Sequence, residues 1–586
     1  MASHRRTNAR GPRRSVATLV VLVLLALQAI VGCTRGKKKV GSVEPQATSA
    51  QATTPSKAAG EDDDAWQIGD LPPEASAGNP KPGGEIIVAL WSEPPSLNIH
   101  VDSDWIAAHV SENVYETLVT PDPYDDPLYR MKPALAERWE VSDDKLTYTF
   151  YLRKGVTWHD GKPFSARDVI ATLDKISDET TRAAHVRAYL EELDRYEMVD
   201  EYTVRFHWKR PYFLSMDAVG DLQIQPAHIL NGLTGMQYNE AATNPLNRAP
   251  VGTGPFRFVE WESNQKIVLA RNEQYWGRKA YLERLVFRIV QDDTVRQQLA
   301  ARGELDFWNH VLDEQWAKMD DSSFKSKFYR SLVYDASYAW IGWNQRAKPF
   351  LADKRVRRAL TLLLDRDRIA KTMYYGLRKP TACTFYWASP ACQGIEPLPY
   401  DPKQAEALLD EAGWKDHDGD GVRDKDGVPF RFTFMIPSSS VNSTKLGTKM
   451  KEDYHRFGID VVLQKVEWTS FTKRLRKHEF DACTLQWGGG PRQDPSQIWH
   501  SKGREGGSNY VGFSNAEADK LIEEARTMFD EAARNEVYRR FGAILADEQP
   551  YTFLFVSPQL TLIRKRVHGV KESLLWWQFR DMWVES

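Results

Sequence analysis

Hydrophobic and polar positions along this chain switch repeatedly between a two-residue and a helical period. Leu146, Tyr148, Phe150 and Leu152 alternate with polar neighbours, the pattern of a half-buried strand. His159-Asp160-Gly161 supplies a turn, and Ser165 stands where it can cap a helix running to Ile176. Asp401-Pro402 opens another helix and Gly413 closes it, proline first and glycine last. Residues 517–547 carry the spacing of one or two amphipathic helices. Residues 481–487 alternate again and place Cys483 where burial would leave it inert. Strands and helices interleave from residue 84 onward without a short repeat. The predicted fold class is α/β.

The N-terminal stretch follows other rules. Arg5, Arg6, Arg10, Arg13 and Arg14 precede an apolar run over residues 16–31 that contains Thr18 and Gln28. The run is shorter than the roughly 20 residues needed to span a bilayer, and it reads as the hydrophobic region of a signal peptide over residues 1–32. Ile30-Val31-Gly32-Cys33 resembles a bacterial lipobox, which implies cleavage before Cys33 and acylation of its thiol. Residues 33–83, rich in Ala, Thr, Ser, Gln and Pro, cannot bury enough apolar surface to fold and are expected to form a flexible tether. Lys37, Lys38 and Lys39 either lean on anionic head groups or are simply solvated. The folded part is expected outside the cytoplasm, held to a bacterial membrane and facing the periplasm or cell exterior.

Composition narrows the classes. With 586 residues, 42% of them hydrophobic, the chain has material for at least two domains with large cores. Lys plus Arg number 78 against 80 Asp plus Glu, so the chain lacks the basic excess that a general nucleic-acid binder usually shows, and no nucleic-acid partner is expected. Twenty Trp, 23 Tyr and 24 Phe exclude a disordered or fibrous chain. Cys383 and Cys392 can close a local loop in an oxidising compartment. The sequence contains no CxxC, HExxH, Gly-x-Ser-x-Gly or P-loop, which leaves little support for zinc, for a nucleophile elbow or for a nucleotide site.

Three blocks carry a family resemblance. The first is Ala136-Glu137-Arg138-Trp139 through Thr147-Tyr148-Thr149-Phe150, continuing to His159-Asp160-Gly161-Lys162-Pro163-Phe164-Ser165. The second is Pro250-Val251-Gly252-Thr253-Gly254-Pro255-Phe256, and the third runs Arg355-Val356-Arg357-Arg358-Ala359-Leu360 to Asp365-Arg366. Together they resemble family 5 of the extracellular solute-binding proteins, the peptide and nickel class of importer receptors. The resemblance implies a two-lobed clamp with an inserted domain. Lobe I would comprise residues 84–118, 248–335 and 551–586, the insert 119–247, and lobe II 336–550. It further implies a monomer that needs no cofactor and no catalytic residue. Such a protein delivers a peptide, or alternatively an oligosaccharide, to ABC permease subunits powered by separate ATPases. The different-class alternatives are a surface hydrolase, with Trp487 and Asp494 marking its cleft, and a surface sensor.

Site residues follow from the same resemblance. Relatives line the cleft with two tryptophans nineteen residues apart, the spacing of Trp468 and Trp487 here. They place an aspartate for the peptide α-ammonium three residues after the second tryptophan. In this chain Gly488, Gly489 and Gly490 follow, and Gly490 occupies that position. Glycine cannot supply a carboxylate, so recognition is expected to depend weakly on a free amine. Asp494, or Asp104 in the loop Ser103-Asp104-Trp105, remains as a substitute charge, and Asp104 reads equally as a solvated loop acid. Tyr386 and Trp387 are further cleft candidates, or else cover the core. Asp416, Asp418, Asp420 and Asp424, with Gly421, have the spacing of a calcium loop. Gly427 stands where that loop's bidentate glutamate belongs, so a structural Ca2+ and a metal-free turn both remain open.

Overall fold

The computed structural model describes residues 71–585, apart from 103, 126–128, 320–321, 506 and 576. The expected signal peptide, Cys33, most of the tether and Ser103 therefore lie outside the described residues.

Strand Glu85–Leu90, sequence EIIVAL, is apolar toward both faces and buried along most of its length. Such a run suits a strand covered on both sides, and it lies within a seven-stranded sheet. Arg284–Ile289 pairs with it in parallel, Glu85 opposite Arg284 and Leu90 opposite Ile289. Lys266–Arg271 and Phe256–Glu262 extend one edge. On the other side follow Phe307–Trp308, Pro558–Arg564 and Phe328–Tyr334. A second, five-stranded sheet has the order Asp460–Val466, Arg431–Pro437, Ala482–Trp487, Tyr338–Trp343, Tyr551–Phe553. Its parallel pair, Arg431–Pro437 and Asp460–Val466, is joined by helix Val441–His455, the crossover that parallel strands require. Each large sheet anchors one lobe.

The inserted segment builds its own four-stranded antiparallel sheet: Ala136–Val141, Thr147–Leu152, Thr203–Trp208 and Leu193–Asp200. The alternation read from the sequence is realised here, with Tyr148, Phe150 and Leu152 buried. Helix Ala166–Ser177 covers them and starts at a capping box between Ser165 and Asp168. Asp401 caps Pro402–Glu411, and Gly413 takes the left-handed φ of 85° that ends this helix. The amphipathic stretch after 516 is two helices, Ala516–Arg526 and Glu531–Glu548. A disulfide joins Cys383 to Cys392, and Cys483 is buried in its strand.

The chain passes between the two large sheets twice, over residues 335–337 and 554–557. The second passage comes later than the boundary expected at 551. Tyr551–Phe553 pairs with Tyr338–Trp343, and the Tyr551 ring stacks on Trp340 at 4.1 Å, so these residues belong to the second lobe's core. The chain rejoins the seven-stranded sheet only at Pro558.

Candidate functional site

The two crossings form the hinge, and Gln486 ties them together. Its side-chain amide donates to the Ser337 hydroxyl at 2.8 Å in one crossing, and its carbonyl accepts from the Ser557 hydroxyl at 3.4 Å in the other. Gln486 and Trp487, at the end of strand Ala482–Trp487, also divide the cleft into two recesses.

The hinge-side recess holds about 1030 Å3, including solvent at its mouth. The first lobe contributes Trp91, Trp105, Asn309, His310 and Asp313, and the second contributes Tyr375, Arg378 and Asn442. Trp91 packs on Trp105 at 4.7 Å and on His310 at 4.6 Å, forming an aromatic wall. His310 takes a left-handed φ of 65°, a strained setting for a non-glycine residue beside a cleft. Burial, with Arg296 and Arg378 nearby, holds its imidazole down at about 4, so the ring is neutral near pH 7. Arg378 bridges the lobes through Asp313 at 2.9 Å while lying over the Tyr374 ring at 3.9 Å. Burial raises the Asp335 carboxyl, which accepts the backbone N–H of Ser337 at 3.0 Å.

The second recess, about 820 Å3, lies between the inserted domain and the second lobe. His185, Tyr189 and Leu214 face Trp487, Gly488, Gly489, Gly490 and Asp494 across it. A Cβ at Gly488 would meet nothing within 4 Å and one at Gly490 only the Arg492 carbonyl oxygen at 4.0 Å, so a ligand backbone can approach the chain there. Four contacts close the far rim. Arg210 pairs with Glu523 at 3.0 Å and Arg492 with Asp217 at 2.7 Å. Tyr212 donates to Asp494 at 3.0 Å, and the Phe213 N–H donates to the Arg526 carbonyl at 2.9 Å.

Several expected site residues are assigned differently by this geometry. Asp494 lines the second recess, but its carboxylate is bound to Arg526 at 2.9 Å, the Tyr212 hydroxyl and the Ser496 N–H. It is committed to holding the rim and cannot be the free anchor for an amine. Asp104 caps helix Trp105–Ser111, accepting the Ala107 N–H at 2.8 Å, and it lines neither recess. Trp468 stacks on Phe471 at 5.8 Å and also lies outside both. Trp487 borders the second recess yet is only 3% exposed, because Trp340 and Tyr510 cover its faces. Trp387 packs edge-on to Tyr334 and under Lys379 away from both recesses, and Tyr386 borders a smaller neighbouring hollow. Of the described first-lobe candidates, Asp104 and Trp105, only Trp105 lines the hinge-side recess. The sequence reading missed Trp91, Asn309, His310 and Arg378, because each comes from a loop without a motif.

At the acidic loop, Asp416, Asp418 and Asp420 bring carboxylate oxygens within 4.8 Å of one another, all exposed. Asp424 turns away to His417, accepting its backbone N–H at 2.9 Å, so the fourth expected ligand is engaged elsewhere.

Two lobes on a two-stranded hinge, with recesses between them, define a solute-binding clamp. The chain belongs to the bacterial extracellular solute-binding proteins, family 5, whose middle region matches residues 130–509. It is 31% identical over 504 residues to the oligopeptide-binding protein AppA of Bacillus subtilis, covering 85% of this chain and 90% of that protein. The dipeptide-binding protein of Escherichia coli is 28% identical over 465 residues, covering 75% and 83%. The structure of AppA in complex with a nonapeptide superposes with a TM-score of 0.73 at 28% identity, over 87% of this chain and all of that one. NikA from Brucella suis shares the fold, with a TM-score of 0.74 at 23% identity over 86% of this chain and 100% of that one. Among the described residues no helix is long and apolar enough to cross a membrane.

Proposed function

We propose that this chain is the extracytoplasmic receptor of an ABC importer, capturing a peptide-like solute between its lobes and handing it to a permease with separate ATPase subunits. The observation that carries the reading is the hinged cleft in a chain related along most of its length to an oligopeptide-binding protein. It acts as a monomer and without cofactor or catalysis, since capture requires only that ligand contacts favour the closed lobes over the open ones. A signal peptide and an acylated Cys33 would tether it to the membrane. Metabolic labelling with a fatty-acid analogue should mark the wild type and miss Cys33→Ala; equal labelling would remove the anchor. The sugar-stacking alternative rested on Trp468 and Trp487, whose rings are packed against other aromatics, and it is not carried forward. Mass spectrometry of solute co-purified with the secreted protein tests the class. A peptide supports the reading, and a co-purified oligosaccharide would replace it.

A further inference from the structure

The hinge-side recess carries more negative charge than its own cations answer. Asp313, Glu314, Asp335, His310 and Arg378 line it. Arg378 is committed to Asp313 at 2.9 Å, and Glu314 is paired with Lys318. His310 adds no positive charge near pH 7, because burial and the neighbouring Arg296 and Arg378 hold its ring at about 4. Asp335 is left over. It is half-buried on the recess wall, and among the described residues no cation pairs with it.

Its neighbours are dipoles. Oδ1 accepts both the Ser337 N–H, at 3.0 Å, and the Ser337 hydroxyl, and the side-chain amide of Gln559 lies beside the same carboxyl. Burial lifts this carboxyl above its ordinary value, opposed by those hydrogen bonds and by the more distant Arg378. A carboxylate held in this way is stabilised by a cation that reaches it. The walls suit an organic cation. Trp91 and Trp105 of the first lobe are half-buried, and Tyr375 of the second is 41% exposed at a left-handed φ of 55°. Aromatic faces attract ammonium and guanidinium groups through the ring quadrupole. A bare metal ion instead needs several converging ligands, and among the described residues the acids of this recess do not converge.

The ligand's backbone has its approach elsewhere in the cleft. Gly488 and Gly490 open onto the second recess, and Gln486 and Trp487 stand between the two. What passes from there toward the hinge is a side chain. We infer that the hinge-side recess is a subsite for a cationic side chain of the bound peptide, with Asp335 as its counter-charge and Trp91, Trp105 and Tyr375 as its walls. The inference rests on the peptide-capture reading and names the peptides that reading favours, those carrying arginine or lysine. Because the walls come from both lobes, the cation is fully enclosed only when the clamp is shut, which couples recognition to closure. Asp335 itself sits in a crossing, joined through Ser337 to Gln486.

The test uses the full secreted chain and a length series of alanine peptides, acetylated and amidated at their ends, with one central residue varied. Calorimetry should show arginine and lysine peptides binding about tenfold more tightly than their neutral counterparts, citrulline and acetyl-lysine. Asp335→Asn keeps an oxygen for both Ser337 donors. It should erase that preference while holding the citrulline peptide within about threefold of the wild-type affinity. A packing defect would weaken both peptides alike. Equal affinity of the wild type for arginine and citrulline peptides overturns the cation subsite, and so does an Asp335→Asn variant that keeps the preference or weakens both peptides equally. Binding that requires a free α-amine and ignores the central residue overturns it as well. Each of these results leaves the importer reading standing. Capture of no peptide, from this series or from a casein digest, overturns the peptide reading itself.

Discussion

Trp487 is buried because aromatic rings occupy both its faces and its indole N–H reaches the Tyr551 hydroxyl at 3.3 Å. Removing it should therefore cost stability before it costs affinity. Trp487→Ala is expected to lose about 3–5 kcal/mol in urea denaturation. An unchanged midpoint with weakened peptide binding would return the ring to the ligand wall. His100 offers a second test at this scale. Burial, followed by the nearby His185, depresses its imidazole to about 3, while Nδ1 meets the Tyr238 hydroxyl at 3.1 Å. The unfolded chain takes up a proton first, near the ordinary value of 6.5, so this contribution to stability is whole above pH 6.5 and drains away as pH falls toward 3. His100→Gln should flatten that acid limb by about 2–4 kcal/mol, read from urea midpoints between pH 7 and 4. Residue identities were legible in the sequence and their neighbours were not. The nineteen-residue spacing selects two tryptophans, but nothing local says that Phe471 lies under one and Trp340 beside the other. Asp494 reads as a cleft acid until Arg526, thirty-two residues away in sequence, closes on it.

Elements were the most readable level, since their signals are local. Ser165 and Asp168, Asp401 and Gly413, and the alternation through Phe150 each fix an element by contacts within a few residues. Pairing of Tyr551–Phe553 with the second lobe was not readable, because a three-residue apolar strand fits either sheet and only the Trp340 stack decides. Arg357, part of a family block, has a structural explanation here. It is buried, and it donates to the carbonyls of Leu351 and Ala352, to the Glu548 carbonyl that ends helix Glu531–Glu548, and to the Glu548 carboxylate at 3.0 Å. A cation among carbonyl ends of helices is favourable, and losing it strands those acceptors. Arg357→Met should destabilise the protein by about 3–5 kcal/mol in denaturant. A loss below 1 kcal/mol would show that water replaces the guanidinium.

Across the whole molecule, the rim contacts made by Arg210, Tyr212, Phe213 and Asp217 hold the inserted domain against the second lobe, opposite the hinge. They stabilise the shut clamp even before ligand contributes. Arg492→Ala removes one of them and should raise the radius of gyration of the ligand-free protein in small-angle scattering. Peptide affinity should fall about five- to tenfold, because more of the binding energy is spent on closure. An unchanged scattering profile would mean that the hinge alone sets the lobe angle. The route of the chain through the first lobe has a different consequence. Pro558–Arg564 is an interior strand flanked by Phe307–Trp308 and Phe328–Tyr334, and Arg566 pairs with Asp306, 260 residues earlier. The sheet therefore stays incomplete until residues 558–564 join Phe307–Trp308 and Phe328–Tyr334. A pairing between strands so distant in sequence forms slowly, because a long loop must close before any contact offsets it. A chain truncated before residue 558 is expected to leave Phe307–Trp308 and Phe328–Tyr334 with unpaired edges, a template for aggregation, rather than to fold as a merely weakened protein.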